Sequence, residues 1–395
     1  MQIYRTQENE SIYDVARRFG VSPIKVAEDN ELEIRGTLPQ GRELLIRIPS
    51  RTYNAKSSDT LEGISRRFKT TKEALLRLNP ELRGRERIYS GQLLTVKDST
   101  PSYGMISSNG YLYSGTSRER LVSMIPYLSY VTVCAAVYKD GKVHRHFSCE
   151  DAVSLIKSTG RAPILRIYLT ELPTGVGEAD FASSIAILAK SGGFDGVALS
   201  SLNTMSTDKD RLEGLVLSVR KALIENDLLL FAEGEADKPT SYMDYADAGV
   251  LTYDKLHHAT PPSFDEGERM VFSNYADSSE SCRAFIELSG FAYYNDRYIE
   301  KHEAMRICDR KHVQLCPDDE RLLTVASYGK NKKRTLVFEN LENTKSKLEL
   351  ISELGFMGIC FDIGRICICD LMAATSMFDV ISHPIMRSKA YGQEM

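Results

Sequence analysis

The sequence predicts a (β/α)8 barrel preceded by two small α+β (βααβ) modules, in a chain of 395 residues. Two patterns carry that prediction. The first hundred residues contain an internal repeat, and the rest alternates apolar runs with helical periodicity. Composition permits it: 42% hydrophobic and 26% charged residues suit a globular chain with at least one large core.

The repeat runs first as 4-YRTQENESIYDVARRFGVSPIKVAEDN-30 and again as 53-YNAKSSDTLEGISRRFKTTKEALLRLN-79, an offset of 49. Tyr4 matches Tyr53, Arg17-Arg18-Phe19 matches Arg66-Arg67-Phe68, and Asn30 matches Asn79. One added residue then shifts the offset to 50, where 41-GRELLI-46 meets 91-GQLLTV-96. Each copy reads as strand, helix, helix, strand, which places modules at 2–49 and 52–97. Ser11 and Thr60 stand near a helix start, where a side-chain oxygen can accept a free backbone N–H. Ile12, Val15, Ala16 and Phe19 recur at helical spacing, as do Leu61, Ile64, Ser65 and Phe68.

From about residue 103 the pattern changes. Strand-like runs fall at 108–113, 130–137, 163–169, 195–201, 228–233, 248–253, 284–288 and 357–361. Helical patterns such as 178–191, 208–226 and 340–354 lie between most of them. Eight such alternations predict a barrel over 103–395, with its working residues at the C-terminal ends of the strands.

Charge and cysteine usage narrow the function. A net charge of −4 argues against a dedicated nucleic-acid binder. Residues 1–100 hold 18 Lys/Arg against 14 Asp/Glu and the remainder 32 against 40, so a mildly basic head precedes an acidic body. A basic head favours an anionic polymer such as a cell wall. No run of about 18 apolar residues predicts a membrane span. The start, MQIYRTQENE, lacks the apolar core of a signal peptide, so synthesis in the cytoplasm is expected. All eight cysteines follow residue 133 with no C-x-x-C pair, which reads as reduced thiols. No cofactor or metal is expected: His144, His146 and Cys149 lack a fourth ligand, and Cys367 and Cys369 read as buried thiols. The run 330-KNKKR-334 reads as a solvated hairpin turn.

The repeat resembles two LysM modules, on the D-T-L at 59–61, the Asn-Pro at 79–80 and the S-G-Q at 90–92. That resemblance implies binding to N-acetylglucosamine polymers, peptidoglycan or chitin. The groove of the second copy would be lined by Asp59, Thr60, Leu61, Ile88, Tyr89 and Ser90. The first copy has Glu10, Ser11, Ile12, Leu38, Pro39 and Gln40 there and is less typical. Two grooves joined by a few residues would act together on one polymer.

The larger region resembles the family 18 glycoside hydrolases, in particular the spore-germination N-acetylglucosaminidases of endospore-forming bacteria. The resemblance rests on 109-NGYLYSGTSRERL-121, 124-MIPYLSYVTV-133, 249-GVLTYD-254 and 337-VFENLENTKSKLELISELGFMGICF-361. The family's fourth strand carries D-G-V-D-x-D-x-E. Here it reads Asp195, Gly196, Val197, Ala198, then Ser200 and Leu202, so three of four acids are missing. In that family the substrate's own acetamido oxygen attacks, the Glu donates a proton to the leaving oxygen, and the neighbouring Asp stabilises the acetamido group. Leu202 can do neither part of acid–base work, which typically contributes ~10²–10⁴-fold. The family's tryptophan floor is also absent, since the chain contains no Trp; Phe361-Asp362 stand near its place. Tyr253-Asp254 survive as sugar-pocket candidates. Relocated acids could come from Glu171, Glu233, Glu235, Glu287 or Asp362. The resemblance implies a wall-binding protein of a spore envelope, with coat or cortex proteins as further partners, or else a glycosidase using relocated carboxylates.

Overall fold

The computed structural model describes residues 1–382 and 384, apart from 35, 100–101, 174–176, 201, 203–205, 207, 239, 254–264, 279–282, 296 and 330–332. In the first module β1 (Gln2–Arg5) pairs antiparallel with β2 (Glu43–Ile46), and α1 (Ile12–Phe19) and α2 (Pro23–Asp29) connect them. In the second, β3 (Pro49–Asn54) pairs with β4 (Leu93–Asp98) around α3 (Leu61–Phe68) and α4 (Lys72–Leu78). Only Arg47 and Ile48 separate β2 from β3.

The repeat in sequence is a repeat of physical devices. Ser11 and Thr60 are the N-caps of α1 and α3, accepting from the N–H groups of Asp14 and Gly63. Such caps stabilise a helix by about 1 kcal/mol. Asn30 donates to the carbonyls of Val26 and Leu45 and accepts from the Leu45 N–H. Asn79 does the same with Leu75 and Thr95. Each buried amide therefore ties the end of the second helix to the last strand.

The barrel follows. Its elements in chain order are β5 (Met105–Leu112), α5 (Arg118–Met124), β6 (Tyr130–Lys139), β7 (Lys142–Arg145), α6 (Glu150–Ser158), β8 (Ala162–Leu169), α7 (Gly177–Ser191), β9 (Gly196–Leu199), α8 (Lys209–Ile224), β10 (Leu229–Glu235), β11 (Ala248–Thr252), α9 (Met270–Ser278) and β12 (Ala284–Glu287). Strands β5, β6, β8, β9, β10, β11 and β12 pair in parallel in that order. An eighth strand, β18 (Gly358–Asp362), pairs with both β12 and β5 and closes the ring. All eight strands fall on the runs the sequence predicts. Inward-facing side chains fill the interior: Tyr130 meets Phe231 edge-on at 5.2 Å, with Ala198, Val250 and Phe285 in the same cluster.

Between β12 and β18 the chain makes an excursion the strand pattern did not reveal. A five-stranded antiparallel sheet comprises β13 (Phe291–Tyr294), β14 (Arg297–Glu300), β15 (Leu315–Asp318), β16 (Leu323–Tyr328) and β17 (Arg334–Glu339). It is packed on α10 (Lys301–Lys311) around its own core of Ala292, Cys308, Leu336 and Phe338. The β16–β17 hairpin is the one expected around 330-KNKKR-334, although 330–332 lie outside the described residues. The chain then runs through α11 (Leu341–Leu354), β18, α12 (Ile368–Met377) and β19 (Asp379–Val380). Cys367 caps α12 and Cys369 lies in its first turn, so the two are not on an extended strand; both are buried.

Neither module hangs free. The first docks on the inserted sheet: the Leu315 N–H donates to the Gln40 carbonyl at 2.9 Å, and Arg5 bridges Glu43 and Asp319. Gly41 has φ +78°, and a Cβ there would lie 2.2 Å from the Leu315 carbonyl oxygen, so both backbone sign and space demand glycine. The second docks on the barrel. Arg77 donates to the Pro126 carbonyl at 3.0 Å, and Gly84 (φ +71°) approaches the Val122 carbonyl as closely as Gly41 does that of Leu315.

Candidate functional site

Two places can do chemistry or recognition: the module grooves and the barrel mouth. The grooves are held by a shared triad. In the second module the Tyr53 hydroxyl donates to Asp59 at 2.7 Å, and Arg67 donates to Tyr53 and pairs with Asp59 at 3.7 Å. The Lys56 N–H and the Tyr53 hydroxyl hold the Asp59 carboxyl below the usual carboxylate range. In the first module Tyr4 and Arg18 both donate to Glu10, and Arg18 lies over the Tyr4 ring at 5.3 Å. Asp59 is thus committed to shaping its loop.

The remaining groove residues divide by exposure. Leu61 and Ile12 are core residues of their modules. Thr60 caps α3 with its side chain in solvent, Ser90 is exposed, and Ile88 is half-buried. Tyr89 is 60% exposed, with the Arg87 guanidinium 5.1 Å from its ring centroid. An exposed aromatic ring beside hydroxyls and backbone N–H groups suits the alternating apolar and polar faces of a sugar. At the matching place in the first module Leu38 and Pro39 are buried, Ser11 bridges Thr37, and Gln40 is bonded to the inserted sheet.

The fourth-strand residues named in the resemblance lie on and around β9. Strand β9 ends at Leu199. Asp195 precedes it and pairs with Lys157 at 2.9 Å, away from the mouth at the strand's N-terminal end. Ala198 belongs to the apolar barrel interior. Ser200 is buried, its hydroxyl accepting from the Leu169 N–H at 3.2 Å. Leu202, where the resemblance implies a proton donor, is 0% exposed and packs in the layer between sheet and helices.

Among the relocated-acid candidates Glu233 is the most deeply placed. It projects from β10 and meets Arg166 of β8, whose Nε donates to Oε1 at 3.0 Å and Nη2 to Oε2 at 2.7 Å. The Tyr111 hydroxyl of β5 donates to Oε1 at 2.9 Å. Burial and this carboxylate push the Tyr111 hydroxyl well above its ordinary range, so it keeps its proton. Arg166 also lies 5.6 Å from the Tyr111 ring centroid and 5.8 Å from that of Tyr168. Glu235 pairs with Lys238 at 2.6 Å, Glu287 ends β12 half-buried, and Glu171 accepts from the Gly141 N–H. Asp362 ends β18, accepting from the Gly364 N–H at 2.8 Å and from Arg365; burial pushes its carboxyl up.

The sugar-pocket candidates scatter. Phe361 is fully buried in the outer layer, because β18 turns Cys360 into the barrel and its neighbour away, so it offers no ring to the mouth. Tyr253 follows β11 and packs partly buried against the outer cluster. Asp254 lies outside the described residues. Arg166 and Tyr111 were missed. A cation at an inward position of 163-PILRIYL-169, between Ile164 and Tyr168, was the available signal. Among the described residues no group of three or more His, Cys, Asp or Glu is arranged to hold a metal, and no helix is long and apolar enough to cross a membrane.

Comparison with known proteins defines the class first. The LysM domain family model matches residues 4–47 and 53–97, so the chain carries two LysM domains. A Bacillus licheniformis protein provisionally named the L,D-transpeptidase YkuD is 35% identical over 79 residues, 19% of this chain. The chain spans about half the length of that curated relative, 47%. The whole architecture then finds its counterpart in the spore cortex-lytic enzyme SleL. The Bacillus cereus structure matches with a TM-score of 0.73 at 17% identity, covering 97% of this chain and 99% of that one. The Bacillus megaterium QM B1551 enzyme matches equally, over 96% and 99%. A chitinase from Chromobacterium violaceum matches over 69% of this chain and 98% of its own, with a TM-score of 0.55 at 15% identity. At these identities the likeness is one of fold: two LysM domains and a chitinase-like barrel.

Proposed function

We propose that this protein binds an N-acetylglucosamine polymer of a bacterial spore envelope through its second LysM domain, and that its barrel has lost family-type hydrolysis. The observation that carries the reading is Leu202, fully buried among apolar side chains where a proton donor would have to stand. Ser200 is occupied by a backbone N–H, and Ala198 is part of the apolar interior. The relocated acids do not supply a free pair. Both oxygens of Glu233 are engaged by Arg166, and one also by Tyr111. Asp362 is engaged by Arg365 and Glu235 by Lys238. The spore setting is supported by the Bacillus structures of the same fold, which are named spore cortex-lytic enzymes.

The test is a turnover assay of the purified chain on peptidoglycan fragments and N-acetylglucosamine oligomers. No hydrolysis is expected. Turnover that disappears in Glu233→Gln, Glu235→Gln or Glu287→Gln would overturn the reading in favour of a glycosidase with relocated carboxylates.

A further inference from the structure

A cleft of 440 Å³ lies behind the second LysM domain, between that domain and α12 and β19 of the barrel. None of the groove residues, Thr60 and Tyr89 among them, lines it. Four cations do: Arg51, Lys69, Arg77 and Lys97. Among the described residues none of the four has a carboxylate partner within salt-bridge distance, although Asp98 and Asp379 also line the cleft. Arg51 lies over the Phe68 ring at 4.7 Å, and Lys69 and Lys97 are exposed.

The buried members are the informative ones. Arg77 is only 6% exposed, and its one hydrogen bond goes to the neutral carbonyl of Pro126. A buried guanidinium normally pairs with a carboxylate, because desolvating an unpaired charge costs several kcal/mol. Ser376, 5% exposed and on the facing wall, has a hydroxyl with no partner. Arg161 nearby is also buried and bonded only to the carbonyls of Leu128 and Thr159, leaving Nη2 without a partner. Burial pushes its pKa down to about 10, with Glu73 opposing and Arg77 adding. Four cations line the cleft against two carboxylates, Asp98 and Asp379, and Asp379 and Glu73 act on Arg77 only from beyond salt-bridge distance.

We infer that this cleft binds an oxyanion, a phosphate or carboxylate borne on a group about the size of one sugar, held by Arg77 and Ser376 inside and by Arg51, Lys69 and Lys97 at the rim. The volume is in the range of small-ligand sites. Guanidinium and hydroxyl donors match such an anion, and the anion would give Arg77 the direct ionic partner that no described residue provides. Because the walls belong to the LysM domain on one side and the barrel on the other, the ligand would also join them.

Calorimetric titration of the full chain tests this at about 0.15 M salt, where loose surface attraction is screened. Inorganic phosphate represents a free anion. A muropeptide with free stem carboxylates represents wall, and chitotriose is the neutral control. Saturable binding of phosphate, the muropeptide or both is expected, and which of them binds identifies the source. Lys69→Glu combined with Lys97→Glu should weaken anion binding at least tenfold and leave chitotriose binding unchanged. Arg77→Ala should abolish it; should that variant fail to fold, the exposed double variant still decides. Absence of saturable anion binding, or equal binding by the double variant, overturns the inference.

Discussion

The two LysM domains are built alike and packed differently. Each has the same Tyr–acid–Arg triad, the same N-cap and the same asparagine tie. In the second, the loop before the last strand carries Tyr89 into solvent; in the first, the equivalent Pro39 is buried and the next residue is bonded to the inserted sheet. Intramodule chemistry therefore fixes the fold, while a contact with a residue nearly three hundred positions away engages the loop before the last strand of the first module. A repeat in sequence is evidence of repeated structure and not of repeated accessibility.

The sharpest way to break this comparison is a matched pair of glycines. Gly41 and Gly91 occupy the same turn, with φ of +78° and +83°. Gly91→Ala meets no atom within 4 Å, so it should cost only the left-handed strain, about 1 kcal/mol. Gly41→Ala adds a clash with Leu315 and should cost roughly 3 kcal/mol or more, with earlier proteolysis of the first module. Equal losses in denaturant melts would mean that the first module is not docked as described.

The asparagine ties test the opposite limb, where the modules should be equal. Asn30→Ala and Asn79→Ala each remove three buried hydrogen bonds and strand main-chain partners, so each should lose about 2–3 kcal/mol. A large difference between them would show that one module is held mainly by the barrel.

Binding separates the grooves at smaller energy. Thr60→Ala with Tyr89→Ala should weaken sedimentation with purified peptidoglycan about tenfold, equivalent to ~1.4 kcal/mol. Ser11→Ala with Gln40→Ala should leave it nearly unchanged. Equal effects would return the first groove to service.

The smallest effect concerns the seam where both modules meet the barrel. Glu28 there is raised to about 7, by burial first and then by Glu81, with Lys25 and Arg83 opposing and Asp29 adding. Its folded pKa lies above its unfolded value near 4.5, so the native state holds the extra proton. Its contribution is fully present below about 4.5 and is lost as pH rises through 7. Glu28→Gln should flatten that slope and raise Tm at pH 8 by about 1–3 °C. A lower Tm at pH 8 would show the carboxylate to be stabilising.

Much of this was legible in the sequence. The repeat, both helix caps and all eight barrel strands follow from spacing, because local periodicity reports which face of an element is apolar. That Ala198, Ser200 and Leu202 stand where the resemblance implies acids is legible only through that resemblance. Beyond the hairpin at 330-KNKKR-334 the inserted sheet was not legible, since its strands are only four to six residues long and β13 pairs with β17 some forty positions away. Nor was the fate of Glu233, whose partners Arg166 and Tyr111 come from strands 67 and 122 positions away and are united only by barrel register.

The close approach of Gly84 to Val122 has a mechanical side. With Arg77 fastened to Pro126 and two residues between the modules, the glycan reader has no slack against the barrel. A tether lets its ends find one another; a bracket dictates their bearing. A polymer strand seated at Thr60 and Tyr89 would run past the barrel on one heading, and neighbouring molecules along that strand would all face the same way.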